Sequence, residues 1–266
     1  RCYQWYQEHK GQHPWKMKQI DAIVGKSRQA MSKRKHSERD MRVKEEKVVH
    51  LATSERSEHP LIGMRKIFEK HKAEMPMGRD RSLEVMRESG FRVIKRVNFT
   101  RTTYSIKENY YPNRIKGLKI NDINQVWQSD ITYIQFGGNT YYLVLIIDVY
   151  SRKIVGYSLA DHMRASMVAQ ALNKAIRLGG VKKLEGLILH SDRGGQYIST
   201  IIKGICKSEG IIQSMCEYAW ENAYVERLNG ILKQEYLFDL ANTTLKALRK
   251  KIAATVKLYN ESRPHW

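Results

Sequence analysis

The sequence predicts an α/β fold, a mixed five-stranded sheet with helices, preceded by small all-helical units. Three observations carry that prediction. β-Branched and aromatic apolar runs begin only after residue 122. From there, three strand-like runs follow one another before helical and strand-like runs alternate, the signature of a mixed sheet covered by helices. Ahead of residue 122 the apolar residues recur at helical spacing, in a region that holds 29 of the 47 Lys and Arg but only 14 of the 27 Asp and Glu.

In chain order, "KMKQIDAIVGKSRQAMSKRKH" (16–36) reads as two short helices around a turn at Gly25. Ile20, Ile23 and Val24 form the apolar face of the first, and Ser27 caps a second that carries Arg28, Lys33 and Arg34. That is a helix-turn-helix pattern with a basic second helix, expected over residues 1–50. A second helical unit is expected over 51–97, with Ile62, Ile67 and Phe68, then Leu83, Val85 and Met86, closing at Gly90. Residues 98–121 mix basic side chains with Phe99, Tyr104, Tyr110 and Tyr111. They read either as a linker or as a segment suited to phosphate contact and base stacking.

The catalytic-sized domain is expected over 122–240. "QVWQSDITYIQF" is a strand, "GGN" at 137–139 a hairpin turn, and "TYYLVLIIDVY" a long apolar strand for the sheet centre. "KIVGYSLA" follows after a turn at Ser151-Arg152. Then come the helix "SMVAQALNKAIRLGG", the strand "LEGLILHSD", the helix "ISTIIKGICKSEG", the strand "IIQSM" and a long helix from about residue 221. This order is the layout of the ribonuclease H-like fold. Residues 241–266 are expected to be a C-terminal helix and tail.

The net charge of +20 favours a polyanion, nucleic acid first, although a merely solvated basic surface has the same composition. No run is long and apolar enough for a spanning helix, and no signal peptide is apparent, so neither a membrane nor a small-molecule substrate is expected. Three unpaired cysteines point to a reducing compartment. His9 and His13 have a spacing that zinc could use, but no cysteine pair follows, and they read as ordinary polar positions.

Three acids fall where such a fold places chemistry. Asp130 lies inside the first strand, where a carboxylate is costly unless paired or bound to a cation. Asp192 ends the fourth strand before Arg-Gly-Gly, where an ordinary turn aspartate would also sit. Glu226 shares a helical stripe with Asn222, Asn229 and Lys233, opposite Val225, Leu228, Leu232 and Tyr236; an amphipathic surface helix has the same pattern. Together, two strand positions and one helix face can build an acidic pocket that only a cation relieves. Oxygen-only ligands select Mg²⁺, with Mn²⁺ as substitute, and a pair of such ions suits phosphoryl displacement.

"VWQSDITYI", "HSDRGGQYIS" and "ENAYVERLNGILKQEYL" resemble the three signature blocks of the DDE transposase and retroviral integrase core, most of all the catalytic chain of insertion-sequence transposases of the IS-three family. "YNESRPH" resembles that family's closing motif, and "SRQAMSKRK" with "MGRDRSLEVMRESGF" its DNA-binding region. The resemblance implies that Asp130, Asp192 and Glu226 form a metal-binding catalytic triad for Mg²⁺-dependent cleavage at element ends and strand transfer. It also implies that Lys233 contacts donor DNA, with Asn222, Asn229, Arg28, Lys33 and Arg34 expected as further DNA contacts. Asp148 falls in a family-like block as a turn organiser beside Ser151 and Arg152. Double-stranded DNA, both element ends and target, is the implied partner, the working form a homo-oligomer on DNA, and the location the bacterial cytoplasm at the nucleoid. Between Asp192 and Glu226 lie 33 residues, about two fewer than is usual in the family, and Glu221 stands where many relatives have Asp. The chain opens on Arg1 and halts at Trp266, and both ends are expected to be incomplete. Two other functions remain open from sequence: a DNA-binding regulator with a relic triad, and a ribonuclease H-type nuclease of RNA–DNA hybrids.

Overall fold

A computed structural model describes residues 5, 8–9, 11–12, 14–25, 28–93, 111–178, 184–237, 240 and 244–265. Cys2, His13, Ser27 and most of the basic aromatic segment, with Phe99, Tyr104 and Tyr110, lie outside them, as do the side chains of Ile20, Val24 and Arg28. The chain divides into two compact units, residues 1–55 with 63–92, and residues 56–62 with 93–266. The boundaries thus differ from those expected at residues 50 and 241. No helix-breaking residue stands at 50, and the C-terminal helix is part of the core of the second unit.

In the first unit, helix α1 (Met17–Val24) ends at Gly25 in the left-handed conformation, φ +66°, as the sequence predicts. The second helix is not short: α2 runs Arg28–Glu58. It contains neither Gly nor Pro and stops just before His59-Pro60, because a residue preceding proline avoids the helical region. Lys33 and Arg34 therefore sit on the exposed stretch of a long helix rather than on a compact recognition helix, and Arg34 is paired with Glu38 at 2.8 Å. Helices α3 (Met64–Lys70) and α4 (Arg79–Glu88) pack on each other. Ile67, Phe68, Val85 and Met86 are buried on them, and Gly90 follows α4 at φ +83°. Buried Glu55 takes Lys70 at 2.9 Å and His71 at 3.0 Å.

The second unit is built on five strands: β1 (Val126–Phe136), β2 (Asn139–Asp148), β3 (Ile154–Ala160), β4 (Ile188–Ser191) and β5 (Ile212–Met215). Their order is β3-β2-β1-β4-β5, with β1–β2 and β2–β3 antiparallel and β1–β4 and β4–β5 parallel. This is the ribonuclease H-like layout. Gly137 and Gly138, at φ +56° and +74°, supply the two left-handed positions that a two-residue hairpin requires between β1 and β2.

Alternation along the strands sends side chains to two different cores. Trp127, Val144 and Ile146 face α5 (Ala165–Leu178) and α6 (Thr200–Glu209), whose Met167, Leu172, Ile202 and Cys206 complete one core. Helix α5 lies so close to β3 that a methyl at Gly156 would strike the Ala171 carbonyl and the Ala175 side chain. Leu143, Leu145 and Ile147 face the other way, toward α7 (Ala223–Ile231) and α8 (Leu245–Glu261). The long helix expected from residue 221 is broken: a 3₁₀ turn (Ala219–Asn222) precedes α7, and a π turn (Leu232–Tyr236) follows it. The predicted apolar stripe Val225, Leu228, Leu232 and Tyr236 is buried in this second core. Among the described residues, no helix is long and apolar enough to cross a membrane.

Candidate active site

Pairing places the first two acids. Ser129 on β1 is paired with Ser191 on β4 in parallel register, so Asp130 follows on β1 and Asp192 follows immediately after the end of β4. Strand alternation turns Asp130 away from Ser129, toward α7. Ser129 faces the other core and shares a 2.8 Å hydrogen bond with the buried Tyr197 hydroxyl. On the α7 side, Asn229 donates to Asp130 Oδ2 at 2.6 Å. Asp192 is also a turn residue, since its Oδ1 accepts the Gly194 N–H at 3.1 Å. Glu226 sits on the exposed face of α7.

The helix bearing Glu226 is tied to the strand bearing Asp130. Gln128, two residues before Asp130 and hence on the same face, accepts the N–H groups of Tyr224 and Val225 at 3.1 and 3.4 Å and donates to the Glu221 carbonyl at 3.1 Å. It therefore caps the first turn of α7, whose N-cap Asn222 makes no side-chain cap of its own. Asn222 instead donates to the Ser129 carbonyl at 3.1 Å. Glu221 accepts the N–H groups of Glu217 and Tyr218 and so organises the loop before α7.

The carboxyls of Asp130 and Glu226 both feel the charge of Asp192. Burial and then the neighbouring Asp192 push Asp130 up to about 7, with Glu226 adding to the rise and Lys233 opposing it. Burial raises Asp192 against the Gly194 N–H, and partial burial together with Asp192 raises Glu226. Lys233 lies 4.3 Å from the centroid of the Tyr133 ring, and its ammonium is pushed down by burial while Asp130 supports it. Among the described residues, no three His, Cys, Asp or Glu are drawn tightly enough together to hold an ion as they stand. The donor chemistry nonetheless fits a hard divalent cation: acceptor-only oxygens on neighbouring elements, their charges disfavoured by burial and by one another.

Asn222 and Asn229, expected as DNA contacts, are buried at 2% and 7% exposure; their Nδ2 groups donate to the Ser129 carbonyl and to Asp130, while their Oδ1 atoms are buried without a hydrogen-bond partner among the described residues. His190 is a packed strand histidine: its Nδ1 shares a 2.9 Å hydrogen bond with Ser214, and burial lowers it to about 4. Asp148 is the turn organiser anticipated, its carboxylate accepting the N–H and hydroxyl of Ser151 and the N–H of Asn124, each at 2.7 Å. Sequence reasoning missed Gln128, although strand periodicity alone puts it on the face of Asp130. It also missed Tyr218 and Trp220, whose rings stack 4.4 Å apart, 5° from parallel, at 54% and 70% exposure beside the start of α7.

Two models described as integrase core domains match this chain, over residues 121–219 and 212–266. The transposase for insertion sequence element IS904 of Lactococcus lactis subsp. lactis is 34% identical over 158 residues, 58% of this chain and 62% of that protein. An uncharacterized 31 kDa protein of insertion element IS600 from Shigella sonnei is 31% identical over 243 residues, 88% of this chain and 85% of its own length. The chain thus spans less than two thirds of the first relative and most of the second. The magnesium complex of the HTLV-2 integrase catalytic core, dimeric form, is 24% identical with a TM-score of 0.44, covering 53% of this chain and 88% of that one. On the breadth of the IS600 match and the two core-domain matches, the chain belongs to the insertion-sequence transposases that carry an integrase core domain.

Proposed function

We propose that this protein cleaves DNA at the ends of an insertion element and transfers the freed 3′ ends to target DNA, using Asp130, Asp192 and Glu226. The observation that carries the reading is the register Ser129↔Ser191, after which Asp130 continues β1 and Asp192 opens the turn beyond β4, close enough for Asp130 to feel the charge of Asp192. The helix with the third acid is capped by the same strand. Bound at the three carboxylates, Mg²⁺ or Mn²⁺, as a pair of ions, would activate the attacking oxygen and stabilise the leaving one.

In cleavage, a water oxygen forms a bond to phosphorus and the bond to the 3′ oxygen breaks, leaving a 3′-hydroxyl and a 5′-phosphate. In transfer, that hydroxyl attacks a target phosphate and the target's own 3′ oxygen leaves. Asp130, from the sheet, and Asp192, from the turn after β4, would supply ligand oxygens, Glu226 would supply its own from α7, and Asn229 orients Asp130. Lys233 offers a cation for a DNA phosphate next to Asp130, and the exposed Tyr218–Trp220 pair offers a face on which a base can stack. Lys33 and Arg34 on the exposed part of α2, together with Arg28, are further phosphate contacts. The active form is a homo-oligomer that brings two DNA ends together, acting in the bacterial cytoplasm at the nucleoid.

The test is incubation of the full chain with duplexes carrying candidate element ends, in Mg²⁺ and in EDTA. Nicking at the 3′ end in Mg²⁺ alone, lost in Asp130→Asn, is the expected result. Equal nicking by the variant, or binding with no metal-dependent nicking on any end, would sink the enzymatic reading.

A further inference from the structure

The closing motif "YNESRPH" (259–265) takes no part in the proposed chemistry, yet three of its side chains are committed to other elements and a fourth folds back on the motif itself. Asn260 holds the start of β3, accepting the Ile154 N–H at 2.8 Å and donating to the Ile154 carbonyl at 2.9 Å. His265 meets the Tyr259 carbonyl at 2.8 Å. Arg263 reaches instead to the π turn, and Ser262 reaches it through His59. Arg263, 5% exposed, grips Glu235 with two hydrogen bonds of 2.9 and 2.8 Å. The Ser262 hydroxyl bonds His59 Nε2 at 3.0 Å, and His59 Nδ1 bonds the Tyr236 hydroxyl at 2.6 Å.

A π turn is a rare, locally unfavourable winding, so one that persists must be held by its surroundings. Here both residues at its C-terminal end, Glu235 and Tyr236, are held, and the Leu237 N–H closes the wide ring on the Leu232 carbonyl at 2.9 Å. Lys233 lies inside the turn. An extra residue in a helical turn changes the direction in which its side chains leave the axis. Rewinding 232–236 into α-helix would swing Lys233 off the Tyr133 ring.

We infer that Ser262 and Arg263 are positioning residues: by clamping Glu235 and Tyr236 they keep the π turn open and hold Lys233 over Tyr133, aimed at a DNA phosphate beside Asp130. This rests on the reading of Lys233 as a phosphate contact, and the experiment separates the two. Binding of the full chain to one short fluorescein-labelled duplex of fixed sequence is measured across a salt series, for wild type, Lys233→Ala, Glu235→Gln, Ser262→Ala and the double variant Glu235→Gln/Lys233→Ala. Losing one phosphate contact reduces the slope of log affinity against log salt by about one. The inference expects Glu235→Gln to reduce the slope as Lys233→Ala does, the double variant to match either single one, and Ser262→Ala to move the same way by less. If Glu235→Gln misfolds, Ser262→Ala, which deletes only a hydroxyl, carries the comparison. A reduced slope in Lys233→Ala beside wild-type slopes in Glu235→Gln and Ser262→Ala would overturn the clamp. An unchanged slope in Lys233→Ala would overturn the phosphate contact itself, and the inference with it.

Discussion

The two faces of the sheet are made by the same strands and do opposite things. The face toward α5 and α6 is closed by apolar side chains, with Gly156 stripped to a hydrogen so that α5 can approach. The face toward α7 is apolar at one end and polar at the other, where Gln128, Asp130, Asn222 and Asn229 meet. One face is optimised for packing, whereas the other tolerates buried, mutually repelling carboxylates. On the face that carries the proposed site, burial and neighbouring carboxylates disfavour charge, and the apolar packing of the opposite face holds the strands that carry it.

The sharpest way to break this contrast is Asp130→Asn. Nicking in Mg²⁺ should fall by about a thousandfold or more, since several kcal/mol of charge stabilisation depend on the ligand set. The same variant should be more stable than wild type in EDTA at pH 8, and a melting temperature below wild type would contradict the charge penalty. The pH dependence follows from the same group. A carboxyl raised to about 7 in the folded protein, against about 3.9 unfolded, contributes stability that is complete below pH ~4 and lost as pH rises through ~7. Urea midpoints of the metal-free protein should therefore decline across that window, and Asp130→Asn should flatten the decline.

On the opposite face, Gly156→Ala should destabilise by about 1–3 kcal/mol through overpacking against α5, read as a lower urea midpoint. Its surviving folded fraction should nick with an unchanged Mg²⁺ dependence; a shifted dependence would show that the faces are not independent. The smallest effect belongs to Gln128→Ala. Loss of a helix cap costs about 1 kcal/mol, and because that helix carries Glu226, half-maximal activity should need more Mg²⁺ than in wild type. An unchanged Mg²⁺ requirement would reduce Gln128 to a structural cap.

Much of the second unit could be read from local pattern. Strand period, the Gly-Gly hairpin and the aliphatic run into Asp192 each have a short-range physical cause, and together they define the sheet. Asp130 stood out because a carboxylate inside a strand is conspicuous, whereas Asp192 and Glu226 each also fit an ordinary turn or surface helix and were singled out by the resemblance. The direction of the polar stripe was not, since periodicity reports that Asn222 and Asn229 share a helix face without saying that the face turns inward onto β1. Nor did any local signal announce the π turn, which depends on Arg263, 28 residues away in sequence. The length of α2 was misjudged for a simpler reason: Gly25 marks where one helix ends, but only the distant His59-Pro60 says where the next must stop.

The buried thiols have a practical consequence. Cys206 and Cys216 are enclosed in the core, and burial pushes them up to about 12 and about 11, so neither offers appreciable thiolate to a maleimide near neutral pH. Replacing Cys2 alone would thus leave a background silent to thiol-directed dyes. A single cysteine introduced at exposed Trp220 could then carry a spin label or fluorophore, reporting on the loop before α7 as DNA arrives while every core side chain stays as it is.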